Sequence, residues 1–139
     1  MNFHEGVTAR LLASAPVTNI VNERINWGQR PQGEPFPALT LQVVSDPRPA
    51  HLKGYDGARR TRLQADCWAE TLAQALTLAA AVIATLKEPD TVGGKKFGNA
   101  LVDAQRDLGE TVGGGTGSQS SGTFIHRQSV DLLIWHVGD

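Results

Sequence analysis

The sequence predicts an α+β fold, an antiparallel-rich β-sheet with helices packed on one face. Three observations predict it. One strongly helical segment, residues 71–87, interrupts a chain otherwise patterned for strands. Alternating strand-like segments lie on both sides of it, and clusters of Gly and Pro separate them. The element order reads helix, short helix, three strands, main helix, two strands, with no internal repeat.

The first helix is predicted near residues 2–14. Asn2 can cap it, Glu5 follows at capping-box spacing, and Phe3, Val7 and Leu11 recur at helical period. Gly6 weakens it by about 1 kcal/mol relative to Ala. Pro16 suits the first position of a second, shorter helix with Val17, Ile20 and Val21 on one side. Arg24-Ile25-Asn26-Trp27 reads as a brief strand, and the three prolines and two glycines of residues 28–37 as a loop.

Residues 38–45, rich in Leu and Val, form the next strand and stop at Asp46-Pro47-Arg48-Pro49. A polar loop with Gly54 and Gly57 leads to a strand over residues 59–68. There Leu63, Ala65 and Cys67 alternate with Arg62, Gln64 and Asp66, the period of a half-buried strand. Trp68 falls on the Arg62 face, so that face is not purely solvated.

The main helix carries the clearest pattern. Thr71-Leu72-Ala73-Gln74 matches a capping box, and Leu72, Leu76, Ala79, Ile83 and Leu86 form a stripe at 3.6 spacing. Ala73, Ala75, Ala80, Ala81 and Ala84 favour helix and let it lie close to a sheet. Lys87 complements the C-terminal dipole and Pro89 ends the run.

After a turn at Gly93-Gly94, residues 98–108 read as a strand. Leu101 aligns with Asp103 and Gln105, while Val102, Ala104 and Leu108 point the other way. Residues 109–122, dominated by Gly, Ser and Thr, bury too little to stay ordered alone. The last strand, residues 123–137, sets Phe124, Val130, Leu132 and Ile134 against Arg127, Ser129, Asp131, Leu133 and Trp135. The two strands read as one long C-terminal β-hairpin with a flexible tip.

The 139 residues fit a single domain, residues 1–139, able to bury roughly two-thirds of its unfolded surface. A net charge of -1, from 13 Lys and Arg against 14 Asp and Glu, argues against a dedicated nucleic-acid binder. A single cysteine excludes an intramolecular disulfide and a multi-cysteine zinc site. No basic stretch followed by an apolar run opens the chain, so no secretory signal is expected. Residues 72–86 are too short and too punctuated by polar side chains to span a bilayer. One soluble intracellular domain is the expectation.

Catalytic patterns are sparse. Gly113-Gly114-Gly115-Thr116-Gly117-Ser118 lacks the lysine of a phosphate-binding loop, and a strand follows where a helix is required. His4, His51, His126 and His136 have no metal-ligand spacing; surface or edge roles are expected. His126 and His136 share a strand face, but ten residues at about 3.3 Å rise keep them far apart. Cys67 sits mid-strand on the core face, where thiols are inert packing groups. Asp66, Asp103, Asp107 and Asp131 are expected to face solvent or pair with arginine. Arg59, Arg60 and Arg62 form the one basic cluster, without the aromatic interleaving of a single-strand binder.

A domain with no catalytic constellation, a mobile hairpin tip and partly apolar outer strand faces reads as an assembly component. Trp68, Leu133 and Trp135 lie opposite the predicted core. Either another chain or the N-terminal helices cover that second sheet face, or it is packed internally.

Asp66-Cys67-Trp68-Ala69-Glu70-Thr71, preceded by Arg62-Leu63-Gln64 and followed by the Ala-rich helix, is similar to the centre of small tail-completion proteins of long-tailed phages, the tail terminators. Arg24-Ile25-Asn26-Trp27-Gly28 and Phe36-Pro37-Ala38-Leu39-Thr40-Leu41-Gln42 resemble the family's early strand, proline loop and second strand. Ser129-Val130-Asp131-Leu132-Leu133-Ile134-Trp135-His136 resembles its final strand. The likeness spans nearly the whole chain in order. The Gly/Ser-rich tip, residues 113–122, departs from the pattern.

The resemblance implies a virion protein assembled in the host cytoplasm: a homo-oligomer, a hexameric ring on the head-proximal end of the tail tube. It would stop tube polymerisation and meet a head–tail connector or stopper, with DNA passing through. Gene transfer agents use similar proteins. The resemblance implies no enzymatic activity, no cofactor and no active site. The loop of residues 46–57, with Arg48, His51, Lys53 and Tyr55, and the tip, with Gly113, Gly114, Gly115 and Gly117, are the candidate docking contacts by charge, mobility and chain position. The strand edge of Arg59, Arg60 and Arg62, with Trp68 and Trp135, is the candidate subunit interface. The alternatives are another head–tail part, an adaptor or tube protein, or a small enzyme or ligand-binding domain built from scattered carboxylates and arginines.

Overall fold

A computed structural model describes residues 1–49, 57–112 and 123–138. Helix α1 spans Phe3–Leu12, and the Asn2 side chain accepts from the Glu5 N–H while the Glu5 carboxylate accepts from the Asn2 N–H. This reciprocal cap satisfies two donors that the first helical turn leaves open. Helix α2, Ala15–Val21, carries Pro16 in its first turn and buries Val17 and Val21. Helix α3 spans Leu72–Leu86 and is capped by Thr71, whose hydroxyl accepts from the Gln74 N–H.

The strands are β1 (Ile25–Trp27), β2 (Ala38–Ser45), β3 (Ala58–Ala69), β4 (Asp90–Val92), β5 (Lys95–Val112) and β6 (Thr123–Val137). They form one sheet in the order β1-β2-β3-β6-β5-β4. Only the β1–β2 pair is parallel. That pairing decides where residues 28–37 go. A parallel neighbour must start again at the end where its predecessor began, so the connection runs back along the sheet.

All three helices lie on one face. Phe3, Val7, Leu11, Val17 and Val21 share a single core with Leu78, Val82 and Leu86 of α3 and with Leu39, Leu63, Val130, Leu132 and Ile134 of the sheet. The predicted alternation of β3 holds, with Leu63, Ala65 and Cys67 fully buried.

Several expectations are corrected. The buried stripe of α3 is Ala75, Leu78, Ala79, Val82 and Leu86, whereas Leu72 and Leu76 are exposed. Small Ala75 and Ala79 admit close approach to the sheet, which turns the larger side chains at 72 and 76 outward. Strand β5 runs Lys95–Val112, so residues 109–112, read from sequence as part of the flexible tip, are strand because they pair with residues 123–126 of β6. A short β4, absent from the sequence reading, pairs with β5 across the Gly93-Gly94 turn. Irregularities between Phe97 and Ala100 and between Val102 and Ala104 shift the β5 register. Each extra residue reverses which face the following side chains take. Leu101 therefore shares a face with Ala104, Arg106 and Leu108, and Val102 with Gln105 and Asp107.

Strand β3 is not an edge: β2 and β6 pair on its two sides. His136 is buried, not at a surface or edge. Neither the N-terminal helices nor a helix of any kind covers the outer sheet face among the described residues. Its Trp68 end is packed internally by residues 28–37, with Phe36 beside Trp68 at a ring separation of 6.4 Å.

Candidate assembly surface

The outer sheet face is a lattice of charges ending in two aromatic patches. Arg62 lies 2.7 Å from Asp103 and 3.8 Å from Asp131; Arg106 lies 3.4 Å from the same Asp131 carboxylate. Arg127 sits 3.7 Å from Asp66. The hydrogen bond to Asp103, with the nearby acids, raises Arg62 above its usual range. Strand alternation brings these residues together, because side chains two apart on one strand share a face with their cross-strand partners. Predicted carboxylate–arginine pairing is what Asp66, Asp103 and Asp131 do.

One patch is centred on Trp68. Its indole N–H donates to Thr40 Oγ1 at 3.0 Å, and the Arg127 guanidinium lies over its ring at 4.9 Å. An open cleft of 380 Å³ lies beside it, lined by Arg30, Gln64, Asp66, Trp68, Glu110 and Arg127 among others. The other patch is more open. Trp135 is 47% and Leu101 58% exposed, Leu101 pairs with Leu133, and the Arg60 guanidinium lies 5.4 Å from the Trp135 ring.

Arg59 belongs to neither patch. It points to the helical side, where it is buried and donates to Asp46 Oδ1 at 2.6 Å and to the Gly138 carbonyl. The reading of Arg59, Arg60 and Arg62 as one surface cluster is thus corrected: alternation puts Arg59 on one face and the other two on the opposite face. Asp46 also accepts from Thr61 at 2.9 Å. Burial would raise this carboxyl, but the Thr61 and Arg59 hydrogen bonds outweigh it and hold Asp46 below the usual carboxylate range. Thr61 continues to His136 Nε2 at 2.6 Å, and Lys95 donates to His136 Nδ1 at 2.9 Å and to the Val137 carbonyl. With Nδ1 accepting, the imidazole carries its proton on Nε2 and donates it to Thr61. This buried network ties the end of β2, the start of β3, the start of β5 and the end of β6 together.

Arg48 is exposed and lies 3.5 Å from Asp46. His51, Lys53, Tyr55, Gly113, Gly114, Gly115 and Gly117 lie outside the described residues. Cys67 is fully buried, and desolvation pushes its thiol well above the ordinary range, which leaves little thiolate for nucleophilic chemistry. Among the described residues no group of three or more His, Cys, Asp or Glu could hold a metal, and no helix is long and apolar enough to cross a membrane. Sequence reasoning placed Leu133 and Arg127 on the face opposite the core without naming them as interface residues, and it missed Leu101 and Arg106 as members of this surface. The final-strand alternation signalled Leu133 and Arg127, but the bulges of β5 carry no sequence signature that would have placed Leu101 and Arg106.

A search of curated proteins finds no match. A fold likeness is present to a chain of a solved structure described as the virion of a native gene transfer agent particle. It has a TM-score of 0.63 at 13% identity and covers 95% of this chain and 92% of that one. The family model described as tail completion protein gp17 matches residues 5–115. The chain belongs to that family and is a structural protein of phage-type tails.

Proposed function

We propose that this protein caps the head-proximal end of a tail tube as a homo-oligomeric ring of six copies, ends tube polymerisation and joins the tail to the head connector. The observation that carries this reading is the open end of the outer sheet face. Trp135 and Leu101 stand about half exposed beside Arg60 on a rigid six-stranded sheet, a surface of the kind that aromatic and arginine side chains make at protein interfaces. In this reading Arg60, Arg62, Trp68 and Trp135 serve contacts between subunits, and Arg59 supports them from within the fold. Residues 46–57 and the tip from Gly113 on, with Gly114, Gly115 and Gly117, carry contacts to the tube and the connector. The role is structural, with no cofactor and no catalytic residue assigned.

Light scattering over a concentration series, with negative-stain images of the same samples in the presence and absence of tail tubes, tests it. Closed rings of one size, free or on tube ends, support the cap. Long filaments of this chain alone point instead to a tube protein. Deletion of residues 113–117 that leaves capping and head joining intact removes the tip from the docking surface.

A further inference from the structure

The geometry points to the free edge of β5, residues 104–112, as a pairing site for an extended strand of a second copy of this chain. The inference rests on the ring reading and names the contact that would build it.

Strand β5 pairs with β4 only through Lys95, Lys96 and Phe97, and Ala100 donates to the Lys87 carbonyl. Beyond that point, among the described residues, its one ladder partner is β6. Residues 104–112 have no proline, no lysine and no register irregularity, the usual guards of an exposed edge. Two of the three charges they carry are turned back onto β6, and the third, Glu110, lines the cleft beside Trp68. Arg106 contacts Asp131 and Ser129, and Asp107 accepts from Gln128 at 2.5 Å. Among the described residues the backbone edge has no ladder partner.

Apolar groups flank this edge on both faces. Leu108 is 38% exposed on the outer face. On the helical face the Phe124 ring, 48% exposed, lies across Gly109, where a Cβ would come within 2.4 Å of it. Only a glycine lets the ring reach over β5 toward its edge. A flat partner would cover one face alone, whereas an added strand extends the sheet and covers Leu108 and Phe124 together.

The mating edge exists on the same chain. Strand β2 pairs with β1 through Leu39, Thr40 and Leu41, so among the described residues Gln42–Ser45 have no ladder neighbour on that side. A register shift lies between Val43 and Ser45, and Val44 there is 49% exposed. The two unlike sides of one open sheet would make a head-to-tail contact, the type that closes into a ring where the rotation between copies allows it and otherwise runs on as a filament.

Hydrogen exchange of the full chain, below and above the concentration at which it self-associates and with tail tubes added, tests this. The companion variant carries Leu108→Lys and Phe124→Lys, both at exposed positions. Closed oligomers should slow the amides of residues 104–112 that face away from β6 at least tenfold. The variant should keep its Tm and need at least tenfold more protein to assemble. Rings that form with unchanged exchange at 104–112 and normal assembly of the variant overturn the edge contact and leave the ring reading standing. Protection that arises only on mixing with tubes overturns the second copy in favour of a strand of the tube protein. No association under any condition overturns both.

Discussion

Thr61 and His136 meet inside the protein, Oγ1 to Nε2 at 2.6 Å, one diagonal step apart across the β3–β6 ladder. Desolvation first, then Lys95 and Arg59, holds the imidazole down to about 4. The rings of Phe3 and Phe97 close over it. Its folded pKa lies below the unfolded value near 6.5, so the unfolded chain binds the extra proton between these two values. The His136 contribution should therefore make stability fall as pH drops from about 6.5 to about 4, by up to roughly 3 kcal/mol, and should itself level off below. Asp46, whose folded value is depressed, loses its contribution only below the ordinary carboxylate range. Urea unfolding at pH 7.5, 5.5 and 4.5 checks the slope. His136→Gln should flatten it.

Arg10 spans from α1 to the end of α3. Its Nη2 donates to the Thr85 carbonyl at 2.8 Å and the Glu88 carbonyl at 2.6 Å, its side chain is buried, and its guanidinium lies 5.1 Å from the Phe97 ring. The Thr85 carbonyl is one that the last turn of α3 leaves open, and the Glu88 carbonyl lies just past the helix end. Arg10→Met keeps the bulk and orphans both acceptors. It should cost about 2–4 kcal/mol in a urea titration.

Gly6 faces Phe97 at a distance a methyl group cannot fit: a Cβ would lie 2.6 Å from the ring. Gly6→Ala gains about 1 kcal/mol of helix propensity. Overpacking a buried ring should exceed that gain and leave a net loss of about 1–2 kcal/mol, read as a lowered Tm. An unchanged or raised Tm would show that Phe97 can move aside.

Trp135→Ala together with Arg60→Glu should change monomer stability by less than about 1 kcal/mol, because both side chains stand on the open face. Assembly should suffer much more, with ring formation in sedimentation experiments shifted at least tenfold in concentration. Normal rings from this variant would remove the Trp135 patch from the subunit interface.

The helices and β2 were legible because their signals are local. The Asn2–Glu5 cap, Pro16 and the Asp46–Pro49 breaker act over a few residues of chain. The face of α3 was read wrongly because the apolar stripe through Leu72 and Leu76 and the one through Leu78 and Val82 are equally plausible on a helix without a single charge. His136 looked like a surface residue because its partners, Thr61 and Lys95, are distant in sequence. The surface was half legible. Strand alternation alone separates Trp68 and Trp135 from the core, but the Arg62–Asp103 and Arg106–Asp131 pairs depend on the β5 bulges.

By itself the sequence determined the α+β class, the capped helices, the strand periods and the tail-completion likeness, since each is written in spacing and residue type. Only the tertiary structure decided the strand order, the return of residues 28–37 over Trp68, the inward turn of Arg59 and the open edge of β5. Those depend on which distant segments share a ladder and on where one extra residue flips a face, and a one-residue shift in a strand of period two changes every contact after it.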